Sequence, residues 1–420
     1  MENTDILIVG AGAAGLMAAY TLSKAGKKVI VLEARDRVGG RIHTLNDELF
    51  FKHAELGAEF VHGNLPVTMQ LLHEAGIEYI STQGEMWQYR DGKLAKNSWD
   101  MPGWNTMMQK LNKLKKDITI GEFLDQNFGE DQYAALRKSV TRFISGYDTA
   151  DPYKASAFAL REEWQGEDDD AQYRLVSGYV KLAEYLAGEC RLNGVNFYLN
   201  SLVKHIDHDS NAVKVTLAND STFEAGKVIV ALPLGVLQSG AIAFQPEIGD
   251  HDKALKQMGF GAIVKLLLEF KDAFWENEDR AHMSFFMSDE EIPTWWTQYP
   301  THSTVLTGWL GGLPAEKKKH MTDEEFMLAG VRSLAAIFNK KEEELKDNLV
   351  AWKVANWTTD PLTLGSYVYD TIESHAARKI LSRPIDDTIY FTGEYIYEGP
   401  VMGTVEAALT SGLEVAKKIY

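Results

Sequence analysis

Asp5-Ile-Leu-Ile-Val9, Gly10-Ala-Gly-Ala-Ala-Gly15 and Lys28-Val-Ile-Val-Leu-Glu33 decide the fold of this chain. The first run is short and almost entirely apolar, as a strand buried on both faces of a parallel sheet must be. The glycine run then opens a helix rich in Ala, Leu and Met to about Lys24, and Gly26 stops it. A second apolar strand follows and ends at Glu33. Glycines spaced Gly10-x-Gly12-x-x-Gly15 between strand and helix, with an acid closing the next strand, form a dinucleotide-binding fingerprint. Gly10 permits the tight turn, Gly12 lets a pyrophosphate approach the backbone, and Gly15 lets helix and strand pack closely. Ala14 sits in the first helical turn, whose free N–H groups and dipole favour phosphate. Glu33, followed by Ala34 and Arg35, is placed to accept hydrogen bonds from a ribose. NAD and FAD both satisfy this unit.

Outward from it, size and charge set bounds. A chain of 420 residues exceeds the roughly 250–300 that one core organises, so two domains are expected. The formal charge of −17 repels phosphate backbones, so nucleic acid is not an expected partner; it attracts cations, though acidity also serves plain solubility. Cys190 is the one cysteine, which excludes an intrachain disulfide and a metal site built on several thiolates. No basic leader with a cleavage site precedes the first strand, and no apolar run reaches the ~18 residues of a membrane span. A cytoplasmic enzyme, not bound to membrane, is the expectation. Nothing in the sequence indicates oligomeric state.

Past Asn64 the texture turns helical, with amphipathic stretches at 104–116 and 133–144, and an acidic surface loop at Glu167–Asp170. A helix is expected over 176–189, then short strands at 195–199, 202–206, 212–217 and 227–231, closed by Pro233 and Gly235. Residues 262–270 read as a long strand, 295–309 as aromatic-rich strand and loop, 323–339 as an amphipathic helix and 404–418 as a closing helix. With no linker between modules, the domains are expected to interleave. The flavin side is assigned to 1–80, 176–248 and 352–420, and the substrate side to 81–175 and 249–351.

Further stretches resemble the flavin-containing amine oxidases, the monoamine and polyamine oxidase group. They are Arg35 with Gly39-Gly40-Arg41 and Thr44, Glu55-Leu-Gly-Ala-Glu-Phe-Val-His-Gly63, Val228–Leu237, Phe391-Thr-Gly-Glu394 and Gly403-Thr-Val-Glu-Ala-Ala408. The resemblance implies an α/β fold: a Rossmann-like FAD domain interleaved with an α+β substrate domain, the two-domain plan shared with p-hydroxybenzoate hydroxylase. It also selects FAD over NAD. By the same resemblance, Gly40 and Arg41 hold the pyrophosphate, and Gly57, Ala58 and Glu59 pass in front of the flavin ring. Val203 pairs with adenine through its backbone, and Gly393 and Glu394 meet the ribityl or phosphate region. Gly403, Thr404 and Val405 begin a helix aimed at the flavin N1–C2=O edge.

Lys265, in Gly259-Phe-Gly-Ala-Ile-Val-Lys265, resembles the lysine that family members hold near flavin N5. Alternation of Val264, Leu266 and Leu268 with Lys265 and Leu267 would by itself make it an ordinary outward residue. The stretch Trp357-Thr-Thr-Asp-Pro-Leu-Thr-Leu-Gly-Ser-Tyr367 matches the segment where monoamine oxidases carry a flavin-linked cysteine. Ser366 stands there instead, so FAD is expected to be bound non-covalently, with Trp357 at the flavin and Tyr367 as one wall of an aromatic cage for the amine. The second cage tyrosine falls at Pro400, leaving Tyr395, Tyr397 or a tryptophan of 295–309 as substitutes. His62 either binds or deprotonates an amino group or supports a neighbour by a hydrogen bond. Glu59 replaces a more usual neutral residue, and either binds a second ammonium or points away.

The implied reaction is oxidation of the C–N bond of a primary or secondary amine, monoamine or polyamine. Hydride passes to flavin N5, O2 becomes H2O2, and the imine is hydrolysed. The partners are a small amine and O2. Alternatives are an L-amino-acid oxidase using Arg137, Arg142 or Arg161 for the substrate carboxylate, a flavin dehydrogenase or desaturase of the phytoene desaturase and protoporphyrinogen oxidase branch, and a flavoprotein without turnover.

Overall fold

The computed structural model describes residues 4–47, 49–63, 65–96, 101–166 and 171–420; the acidic stretch Glu167–Asp170 lies outside them. The opening apolar runs pair as the central strands of an eight-stranded sheet, Thr4–Val9 lying parallel to both Val29–Leu32 and Thr222–Val230. Asn196–Tyr198 extends one edge in parallel and Ile389–Phe391 adds to Thr222–Val230. Val213–Leu217 and Val203–His208 continue the sheet antiparallel, and Ala243–Gln245 closes it. Strands this apolar are stable only when covered on both faces. One cover is the helix pair Ala13–Lys24 and Val405–Lys417 with Val180–Leu192. The other face carries the Val203–Leu217 hairpin residues, Leu234, Leu255, Ala377 and Tyr395.

A seven-stranded sheet forms the second layer. Its order is Leu349–Asn356, Ile263–Phe270, Val305–Gly311, Thr294–Trp296, Met283–Met287, Glu85–Arg90 and Lys93–Lys96. It packs on the helix Asp323–Phe338, whose Thr322–Glu325 capping box fixes the start the sequence predicts. Four helices, Trp104–Leu111, Ile120–Phe128, Ala134–Gly146 and Ala157–Gln165, build a separate apolar cluster. A three-stranded sheet of Phe60–His62, Gln172–Leu175 and Tyr79–Ser81 ties the two sides together. Among the described residues no helix is long and apolar enough to cross a membrane.

Several element bounds differ from the sequence reading. The helix expected to Lys116 ends at Leu111, because Asn112-Lys-Leu-Lys-Lys116 offers one apolar side chain to the cluster. The helix expected at 176–189 runs Val180–Leu192, displaced by the turn at Gly178 (φ +84°). After Pro233 the chain forms a short helix, Leu234–Gln238. The strand holding Lys265 is buried along nearly its whole length, on both faces. Alternation therefore misreads it, since the helix Asp323–Phe338 covers one face and the chain around Gly57 covers the other.

Candidate functional site

A cavity of about 2680 Å3 runs from the glycine turn to the helical cluster, room for a dinucleotide and a substrate together. At its inner end lies the turn after Thr4–Val9. Gly10 sits at φ +105°, and a Cβ there would lie 2.6 Å from Ala231 O, so only glycine makes the turn. A Cβ on Gly15 would fall 2.0 Å from Gly10 O. A Cβ on Gly12 would meet no protein atom within 4 Å. That glycine is thus not required by packing; its bare face opens onto the cavity beside the helix N-terminus, as an approaching pyrophosphate needs. Gly12 also bridges Gly39, which brings Gly40 and Arg41 against the same turn.

Glu33 accepts from Ala11 N at 2.7 Å and from Arg35 N at 2.8 Å. These bonds orient the carboxylate and leave lone pairs for ribose hydroxyls. Glu33, Ala34, Arg35 and Val203 line the cavity together. The Arg35 side chain is engaged elsewhere: it pairs with Asp360 at 2.7 Å and lies over the Trp357 ring. Arg41 donates to Glu394 Oε1 at 2.8 Å and to Ser366 O at 2.6 Å. Glu394 also accepts from Val368 N. The arginine and the carboxylate expected near the phosphates and ribityl chain therefore meet.

Gly403, at φ +70°, abuts the Tyr367 ring, and Thr404 caps the helix Val405–Lys417 by accepting from Ala407 N. Ala14, Gly393, Gly403, Thr404 and Val405 all line the cavity, so the helix start faces it. The donors, the bare Gly12 face and the paired Arg41 fit FAD. Cys190, the one thiol, is buried in the core at 0% exposure, and burial pushes it up to about 12. Ser366 instead bonds Thr149.

Facing this cradle, Lys265 is 1% exposed. Its Nζ donates to Glu59 Oε2 at 2.7 Å and to Gly57 O at 3.1 Å, and lies 5.3 Å from the Trp296 ring centroid. Glu59 is likewise buried, and its Oε1 accepts from Arg174 at 2.9 Å and from Trp296 Nε1 at 2.9 Å. Burial pushes the Glu59 carboxyl up, but Lys265 and Arg174 overcome that and hold it below the usual range. The carboxylate neither points away nor stands open to a second ammonium. Trp357 lines the cavity and donates to Leu56 O at 2.8 Å, locking the segment that carries Gly57 and Ala58.

His62 opens onto the cavity and contacts Gln172 through Nδ1 at 3.2 Å. Enclosure by the surrounding protein lowers the imidazole to about 4, even though its ring is accessible from within the cavity. Tyr367 lines the cavity and its hydroxyl donates to Tyr147 O; burial, then Asp148, push the phenol well up. Trp296, Trp309 and Pro400 line the cavity. Tyr395 does not: it is fully buried in the core below the first sheet, its ring packed against the bare face of Gly393. Trp295 is also core, donating to Ile292 O. Aromatic rings instead run from Phe60 past His62 and Tyr147 to Phe143 and Trp164. Beside them Asp148 is raised well above the carboxylate range by burial and by the neighbouring Glu163.

Of the three arginines considered for a substrate carboxylate, Arg142 lines the cavity, already paired with Asp289; Arg137 bonds Glu130 O, and Arg161 lies over Phe158. Arg174, Asp148 and Glu163 were not singled out from the sequence. Arg174 sits in Gln-Tyr-Arg-Leu, where alternation makes any polar residue unremarkable.

The family model of the flavin containing amine oxidoreductases matches residues 13–420. The chain is 28% identical to mouse lysine-specific histone demethylase 1B, over 100% of this chain and 53% of that protein. It is also 28% identical to Arabidopsis thaliana polyamine oxidase 2, over 99% and 88%. It therefore spans about half the length of the histone demethylase it matches. In fold it resembles putrescine oxidase solved bound to putrescine, with TM-score 0.81 at 21% identity over 100% and 99% of the two chains. It resembles cyclohexylamine oxidase from Brevibacterium oxydans IH-35A equally, with TM-score 0.81 at 19% identity over 100% and 99%. The chain belongs to the flavin-containing amine oxidoreductases.

Proposed function

We propose that this chain oxidises the C–N bond of a small primary or secondary amine and passes the electrons to O2. The observation that carries the reading is the convergence of Lys265, Tyr367 and His62 on the cavity that also holds the glycine turn, Arg41 and the capped start of Val405–Lys417. Bound FAD would supply the redox chemistry; the rest is the work of side chains. The Val405–Lys417 helix start favours negative charge at one end of the cradle. Tyr367 and Trp309 line the cavity with aromatic rings, which attract a cationic amine and orient a neutral one. His62, held neutral, offers a ring nitrogen to hydrogen-bond an arriving amino group. Lys265 places a positive charge where electrons leave for oxygen.

The Asp148–Glu163 pair beside the Tyr147 and Phe143 rings favours polyamines within this class, since two adjacent carboxyls bind a distal ammonium. The paired state of Arg142 weighs against an L-amino-acid oxidase. The test is to purify the protein, record the flavin band near ~450 nm, and bleach it anaerobically with monoamines, polyamines and L-amino acids. Rapid bleaching by amines is the expected result. Bleaching by amino acids alone overturns the reading.

A further inference from the structure

Glu59 meets three chain segments at one carboxylate. It lies between the strands Ala54–Glu55 and Phe60–His62. Lys265 reaches it from Ile263–Phe270, Arg174 from Gln172–Leu175 and Trp296 from Thr294–Trp296. Both oxygens are occupied, and the residue is 6% exposed. Three of the roughly four acceptor sites of the carboxylate are taken and two of its partners are cations, so it has little left to offer a substrate cation, and an unpaired ammonium at the Lys265 position would be costly to bury. Lys265 has three donors; Glu59 and Gly57 O take two. The third is then confined to one direction.

We propose that Glu59 is a positioning residue: it supplies the counter-charge that fixes the Lys265 ammonium beside the flavin site, and it does not bind substrate. Arg174 and Trp296 hold Glu59 in turn, so the lysine cannot swing with it. Glu55 is the other charged neighbour of the cluster; it is bound to Thr44 and Tyr179 N, and desolvation pushes it up to about 7. It is poorly placed to replace Glu59 as the counter-charge. The inference rests on the reading that Lys265 faces the flavin.

The test uses the holoenzyme and the substitutions Glu59→Gln, Glu59→Asp and Lys265→Met, alone and with Glu59→Gln added to Lys265→Met. Enzyme reduced chemically is mixed with oxygen from pH 6 to pH 9, and the flavin midpoint potential is measured at both ends. Wild type is expected to change little in rate across this range, the residual slope being that of Glu55, which titrates inside it. Glu59→Gln is expected to slow about tenfold between pH 6 and pH 9, as the lysine without its counter-charge gives up its proton. Its potential should lie above wild type at pH 6 and converge on it by pH 9. Glu59→Asp, with the carboxylate one methylene short, should fall between, and serves if Glu59→Gln does not fold. In the Lys265→Met background Glu59→Gln should add no pH dependence. A flat profile with wild-type potentials in the Glu59 variants, while Lys265→Met slows reoxidation, overturns the inference alone. An equal effect of Glu59→Gln in the Lys265→Met background overturns it too. Lys265→Met leaving both half-reactions unchanged overturns the reading beneath it.

Discussion

At the scale of residues, the site works by pairing its charges: Glu59 with Lys265 and Arg174, Arg41 with Glu394, Arg142 with Asp289. Lys265→Met removes the buried cation that faces the flavin cradle while Glu59 keeps Arg174 and Trp296. Reoxidation by oxygen should slow on the order of a hundredfold, with much less effect on reduction by amine; stopped-flow traces of the two half-reactions separate these. His62 leads to a pH prediction. Its folded value, lowered by enclosure to about 4, lies below its unfolded value near 6.5. The unfolded chain therefore binds the extra proton between those values, and stability falls as pH drops from about 6.5 to 4. His62→Gln should lose part of that acid sensitivity in melting curves. It should also lower kcat/KM by about tenfold or more without moving an acid limb at pH 6–8, because neutral His62 does not titrate there. A limb that disappears in the variant would show that His62 carries the proton after all. Lys265 was visible in the sequence through its motif and hidden by alternation; Arg174 was hidden by alternation with no motif to reveal it.

At the scale of elements, the strand–turn–helix opening was fully legible, because a buried parallel strand, a glycine turn and a helix each impose a local pattern. The structure divides the glycines by task. A Cβ on Gly12 meets open space, while one on Gly15 meets Gly10 O at 2.0 Å. Gly12→Ala should therefore leave the melting temperature of the FAD-free protein unchanged and weaken FAD binding about tenfold or more. Gly15→Ala should destabilise the protein with or without FAD. Equal melting losses in both variants would remove the assignment of Gly12 to the ligand. Thr404→Ala removes a cap at the other cradle helix and should cost about 1 kcal/mol of stability. Less legible were elements whose ends depend on tertiary cover. Trp104–Leu111 ends where the following polar residues leave Leu114 alone to reach the cluster, and Tyr395 enters the core where the bare Gly393 leaves room for its ring, neither of which a local pattern records.

At the scale of the whole molecule, the cavity is lined by segments drawn from both large sheets and the helical cluster, so its ligand is a structural partner of both sides. The expected non-covalent attachment follows from where thiols are absent: Ser366 stands at the position of the flavin-linked cysteine, and Cys190 is buried in the core behind the first sheet. FAD should then be released intact into the supernatant on acid precipitation; flavin left in the pellet would reveal a covalent bond to another side chain. A ligand bound only by the folded state at a hundredfold excess over its Kd contributes about 2.7 kcal/mol. For 420 residues unfolding together, that raises Tm by about 3 °C. The rise should appear in probes on both sides, such as Trp357 at the cradle and Trp275 in the second core, because one molecule bridges them. A rise confined to one side would mean that FAD is held by the opening unit alone, and that Lys265 reaches the cavity without closing it.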